Sequence, residues 1–182
     1  IGDDDEVIGV VPGEWVTTHS VSLPAKTRKQ FNVALPYSLE ESISEDVENM
    51  HFICPSWKAG EESRVSVVSK SKMIEWKNLA TENRLPVKQL VPEHSLIPFH
   101  DATDCSIALV GDELLANHRN GLGVSIDQDF IDVWLMDVPT NDIIDVNNEE
   151  LTEKINAMEQ DRDIRVWDFG RMLVHWREYE HV

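Results

Sequence analysis

Cations are what this sequence most lacks. Against 34 aspartates and glutamates it carries 16 lysines and arginines, a formal net charge of −18 over 182 residues. A surface this negative repels phosphates and anionic lipid headgroups, which disfavours nucleic-acid and peripheral membrane binding. It suits solubility, a salt-adapted source, or steering of a basic protein partner, and composition leaves these open. Cysteine is scarce too. Cys54 and Cys105 lie far apart, each in an apolar context (Phe52-Ile53-Cys54 and Cys105-Ser106-Ile107-Ala108). Buried thiols in a reducing compartment are expected, and nothing calls for a disulfide. Long apolar runs are missing as well. The longest candidate, Phe130 to Val138, is interrupted by Asp132 and Asp137 and falls short of the ~20 residues a membrane helix needs. No signal peptide is visible. The chain opens on Ile1-Gly2 without Met, which reads as a segment of a longer protein.

What remains is enough to build a core. Hydrophobic residues make up 41% and charged residues 27%, with six tryptophans, a balance that argues for globular structure and against disorder. After the acidic leader Asp3-Asp4-Asp5-Glu6, Val7 to Val11 reads as a buried strand closed by Pro12-Gly13, and a second strand runs from about Trp15 to Leu23. Pro24 can open a helix over Ala25–Ile43, with Phe31, Ala34, Leu35, Leu39 and Ile43 at helical spacing. Pro36 must kink or split it.

Met50–Cys54 and Arg64–Val68 read as strands. Ser71 is the expected N-cap of a helix with Met73, Ile74, Trp76, Leu79 and Ala80 on one face, stopped by Asn83 and Pro86. Val87–Val91 follows as a strand. A strand-helix-strand-strand-helix-strand unit over about 15–91 suggests α/β architecture. Two lobes are expected, 1–98 and 99–182. In the second, Cys105–Val110 and Leu114–Arg119 form a hairpin around Gly111-Asp112-Glu113, and a strand lies near Val124–Ile126. Phe130–Met136 fits strand or helix. Asn148 can cap a helix with Leu151, Ile155 and Met158 inward. The type of the tail, Ile164 to Val182, is not legible.

No constellation rises to a catalytic, cofactor-binding or metal-ligating assignment. His94, His100, Asp101 and Cys105 match no common zinc spacing. Asp168-Phe169-Gly170 matches the kinase metal tripeptide, yet the glycine-rich loop, strand lysine and catalytic loop a kinase needs are absent. The pairs Glu40-Glu41 and Glu45-Asp46 read as a solvated acidic face. Gly121-Leu122-Gly123-Val124-Ser125 lacks the order of a serine nucleophile elbow.

Four motifs in order carry a resemblance. They are Val11-Pro12-Gly13-Glu14, then Val21-Ser22-Leu23-Pro24-Ala25, then Ala34-Leu35-Pro36-Tyr37-Ser38-Leu39-Glu40-Glu41, then Glu45-Asp46-Val47-Glu48-Asn49-Met50-His51-Phe52. Together they resemble general secretion pathway protein L of the type II secretion system. In that family a V-P-G-E turn and an L-P-A helix start precede an A-L-P-[YF]-x-L-E-[ED] helix and an E-D-V-E-x-x-H-F strand entry. The likeness continues more weakly through Val67-Val68-Ser69-Lys70, Leu90-Val91-Pro92-Glu93 and the Ser106–Asn120 hairpin. It covers about the first three quarters of the chain, and the tail, 160–182, matches poorly.

The resemblance implies an actin-like, ribonuclease-H-related α/β fold of two lobes, with part of the first lobe upstream of Ile1. It implies the cytoplasmic part of a single-pass bacterial inner-membrane protein. Its role would be a non-catalytic adaptor that recruits the secretion ATPase, protein E, to a platform with proteins M, F and C. It allows a homodimer and implies no cofactor and no nucleic acid. Rival readings are an actin-like ATPase and a scaffold like pilus-assembly protein M. Nucleotide-binding relatives of this fold hold phosphate at glycine-rich strand turns. The expected equivalent here, His100-Asp101-Ala102-Thr103-Asp104-Cys105-Ser106, has no glycine and extra carboxylates, which opposes phosphate binding.

Overall fold

The computed structural model describes residues 7–99, 102–147, 149–158 and 163–166. The chain divides into two compact units, one holding residues 7–11 and 15–90, the other holding 12–14 and the residues from Val91 onward. The short segment Pro12–Glu14 thus belongs with a unit whose remaining residues begin far downstream.

In the first unit, β2 (Thr17–Val21) and β3 (Met50–Ile53) both pair antiparallel with a central β4 (Ser63–Ser69). The strand alternation of β4 sets the layers. Val65 and Val67 point into a core with Phe31, Leu35 and Leu39, while Val68 packs with Val11, Val16, Met73, Trp76 and Leu90. A separate two-stranded sheet joins β1 (Val7–Val11) and β5 (Val87–Pro92).

Helix α1 spans Arg28–Ser38 and starts later than Pro24 suggested. The stronger start signal is the Thr27 N-cap, with Gln30 reaching back to the preceding residue. The Gln30 amide N–H donates to Thr27 Oγ1 at 3.2 Å, and the Gln30 side-chain oxygen accepts from the Lys26 amide at 3.1 Å. Pro36 lies inside the helix, which ends at Ser38, and a separate 3-10 turn follows at Glu40–Ser42. The expected inward set holds: Phe31, Leu35 and Leu39 are buried, and Ile43 packs against them. Ala34 is exposed.

Helix α2 spans Lys70–Glu82, capped by Ser69 rather than Ser71, because the Ser69 hydroxyl accepts from the Lys72 amide at 3.3 Å. The expected five-residue inner face is narrower than its sequence suggests. Ile74 and Leu79 are each 59% exposed, while Met73 and Trp76 pack inward. At roughly 100° per residue, Ile74 falls well off the Met73–Trp76 seam and Leu79 sits on its edge.

The second unit is a five-stranded mixed sheet in the order β10-β9-β6-β7-β8. β6 (Cys105–Val110), β7 (Glu113–His118) and β8 (Gly123–Asp127) form an antiparallel meander. β9 (Ile144–Val146) and β10 (Ile164–Val166) run parallel, β9 beside β6. Helix α4 (Glu149–Met158) lies between β9 and β10 in sequence, as a parallel pair requires. The ambiguous stretch after Phe130 is helical, α3 covering Ile131–Leu135. Ile131 and Leu135 from α3 and Leu151 and Ile155 from α4 cover one sheet face with Ile107, Leu114 and Ile144. Met158, expected inward, is 43% exposed. On the opposite face Ile97 packs on Ala108 and Leu115. Asn148 and the tail beyond Val166 lie outside the described residues. Cys54 and Cys105 are buried thiols in different units.

Candidate functional site

Polar groups concentrate at two places in the second unit. The first is built on the 3-10 turn Glu93–Leu96, which the Ser95 hydroxyl closes by donating to the Pro92 carbonyl at 2.7 Å. The Glu93 carboxylate accepts the Gly13 amide at 2.7 Å and the Ser125 hydroxyl at 3.3 Å. Beside it, His94 is 2% exposed and its Nδ1 has no hydrogen-bond partner. Two glycines make room for the ring. A Cβ on Gly13 would stand 2.0 Å from Ser125 Oγ and 2.5 Å from His94 Nδ1, and one on Gly123 would stand 2.1 Å from His94 Cδ2.

Burial pushes the His94 pKa down to about 4, so the imidazole is neutral near pH 7. Glu113, facing Glu93 and Glu14, is raised by desolvation first and by those like charges second. Chemically this arrangement is a clasp. Ser125 donates to a carboxylate rather than to an imidazole, so no activated hydroxyl results. Gly123→Ala should destabilise the chain by about 1–3 kcal/mol, the cost of overpacking a closed site. Thermal unfolding of the variant measures this, and an unchanged midpoint would mean His94 can swing away freely.

The second place is the strand-end cluster where β6 begins and β7 ends. His118 Nδ1 accepts the Asn120 amide at 3.0 Å, which leaves Nε2 to donate to Asp142 Oδ2 at 2.7 Å. The buried Thr103 hydroxyl donates to Asp145 Oδ2 at 2.6 Å. Arg119 Nε donates to the Thr103 carbonyl at 2.5 Å, with its guanidinium 5.2 Å from the centre of the Phe99 ring. Asp104 accepts the Ile143 amide at 3.0 Å. At the far end of β6, Asn147 brackets Leu109, accepting its amide at 2.9 Å and donating to its carbonyl at 3.0 Å. These side chains hold backbone to backbone.

The residues singled out from sequence are dispersed. Glu40, Glu41, Glu45 and Asp46 are exposed, and Asp46 caps the 3-10 turn Val47–Asn49 by accepting the Glu48 amide. His100, Asp101 and the Asp168-Phe169-Gly170 tripeptide lie outside the described residues. Among the described residues no three His, Cys, Asp or Glu side chains are grouped to hold a metal ion. The segment Ala102–Asp104 is not a turn between paired strands. Asp104 ties it to Ile143, and Cys105 and Ser106 already belong to β6. The turn that joins the paired strands β6 and β7 is Gly111-Asp112, with Gly111 at φ +64° and open space around it. Sequence reasoning missed Glu93, Ser125, Thr103, His118, Asp142 and Asp145 as partners. The family-like runs Val11-Pro12-Gly13-Glu14 and Leu90-Val91-Pro92-Glu93 contained Gly13 and Glu93 without showing that the two meet.

Residues 4–164 match the family model of the type II secretion system protein L. The chain belongs to this family. Curated proteins named type II secretion system protein L match it at 33% identity in Dickeya chrysanthemi (54% of this chain, 25% of the relative). The match in Klebsiella pneumoniae is at 30% (69% and 30%), and that in Vibrio cholerae serotype O1 at 26% (82% and 35%). The chain therefore spans about a quarter to a third of these protein L relatives. Among solved structures, the cytoplasmic domain of EpsL, an inner-membrane component of the type II secretion system of Vibrio cholerae, superposes with a TM-score of 0.75. Identity is 19%, and the match covers 99% of this chain and 76% of that one. A PilM-PilN type IV pilus biogenesis complex matches at 0.55, with 10% identity over 91% of this chain and 70% of that one. At these identities the likeness shows the fold alone, and the fold is the actin-like α/β architecture that the motifs implied. No helix among the described residues is long and apolar enough to cross a membrane.

Proposed function

We propose that this protein L segment is a non-catalytic adaptor, standing on the cytoplasmic side of the inner membrane and recruiting the secretion ATPase, protein E. Protein M and the other platform proteins would be reached through parts of the protein beyond this chain. The observation that carries the reading is how the polar groups of the second unit are used. Glu93, Thr103, Asp104, Asp142 and Asn147 each close a structural hydrogen bond, an arrangement that suits a rigid scaffold rather than a reaction centre. Calorimetric titration of the chain with the cognate ATPase should give saturable binding, and titration with Mg-ATP should give no binding heat. No ATPase binding would sink the adaptor reading. A micromolar Mg-ATP affinity that is lost on changing Gly111 would favour an actin-like ATPase instead.

A further inference from the structure

The second unit presents an apolar stripe that its own core does not use. From the 3-10 turn Gln128–Phe130 through α3 to Met136, side chains three positions apart share a face. Ile131 and Leu135 are buried, whereas Phe130, Val133 and Met136 are 59%, 56% and 78% exposed. Around the stripe stand the exposed Asp127, Asp129, Asp132 and Asp137, and no basic residue occurs between Asp127 and Asp137. Among the described residues the cation that reaches this segment is Lys154, 2.9 Å from the Gln128 carbonyl and 4.0 Å from Asp129.

Charge narrows the occupant. A second copy of this chain would bring the same four aspartates against themselves, and anionic lipid or nucleic acid would meet the same repulsion. A protein segment with an apolar face flanked by lysine or arginine meets both features. An aromatic and a methionine at the centre supply a desolvating anchor and an adaptable surface, and the aspartates form a complementary rim.

We propose that the Phe130–Val133–Met136 face is the docking surface for such a basic, apolar-faced segment of the secretion ATPase. The assignment rests on the adaptor reading. The test measures binding of the cognate ATPase to the whole chain by surface plasmon resonance, for wild type and for Phe130→Ser/Val133→Ser/Met136→Ser. Met136→Ser alone, at the most exposed position, serves as a second variant should the triple one lose its fold. Asp129→Lys/Asp132→Lys probes the rim, and Val33→Ser/Tyr37→Ser on α1 is the control surface.

The apolar triple variant should bind at least tenfold more weakly, and Met136→Ser severalfold more weakly, both with unchanged melting temperature. The rim variant should lose association rate, and the wild-type rate should fall as added salt shortens the screening length from about 10 Å to about 3 Å. The α1 control should bind as wild type does. ATPase binding kept within twofold by the triple variant, or by Met136→Ser if the triple variant unfolds, overturns the surface while leaving the adaptor role standing. No binding by wild type overturns both.

Discussion

Phe31→Ala should cost about 3–5 kcal/mol of stability, the usual range for emptying a large aromatic site in a core. Phe31 is 1% exposed and packs among Val21, Leu35, Val65 and Val67, the side chains by which α1 meets the β2-β4-β3 sheet. Its ring lies 5.7 Å from that of Trp57, tilted 44°, and the Arg28 guanidinium stands 5.8 Å from its centre. The same guanidinium donates to the Cys54 carbonyl, so the ring also backs a tie between α1 and the end of β3. Alanine leaves a cavity and a less supported arginine, and neighbours fixed by strand pairing can close it only in part. Urea unfolding with an unchanged slope and a lowered midpoint would carry the result. The contrast is Val33→Ala on the same helix, 64% exposed and expected within about 0.5 kcal/mol of wild type. A Phe31→Ala loss as small as that would mean α1 does not seal the core.

Acid should weaken the second unit through His94, by about 3 kcal/mol between pH 6.5 and pH 4. The sign follows from the two protonation states. The folded pKa is pushed down to about 4 from an ordinary value of 6.5, by burial of the imidazole. Above pH 6.5 the ring is neutral in both states and contributes no pH dependence. As the pH falls through 6.5 the unfolded chain takes up a proton that the folded chain refuses, and stability drops by about 1.36 kcal/mol per unit. Below about 4 the folded ring also protonates and the loss levels off. His94→Gln removes the titration, so its stability should decline less than that of wild type across this window. Parallel slopes for the two proteins would show that His94 titrates normally in the fold.

Much of the architecture was legible because it is locally encoded. Period-two runs marked β1, β4, β5 and the β6–β7 hairpin, and helical spacing put Phe31, Leu35 and Leu39 inward. Local signals also competed, and the better hydrogen bond won. Thr27 with Gln30 set the start of α1 over Pro24, and Ser69 set that of α2 over Ser71. The candidate sites were not legible. Gly13 and Glu93 are 80 positions apart, Thr103 and Asp145 are 42, and His118 and Asp142 are 24. No spacing rule reaches that far, because these pairs exist only once the sheet order β9-β6-β7-β8 has laid the strand ends side by side.

By itself, then, the sequence determined the family and the fold class. Its V-P-G-E, A-L-P-Y-S-L-E-E and E-D-V-E-N-M-H-F motifs are runs of neighbouring residues, and periodicity is a property of neighbours. Tertiary structure decided which apolar residues stay outside. Ile74, Leu79, Phe130, Val133 and Met136 are as hydrophobic as the core, yet they are exposed. Helix rotation against a sheet is fixed by the whole packed surface, and a given helix can bury only one stripe. The remaining apolar side chains are left free for another surface to cover.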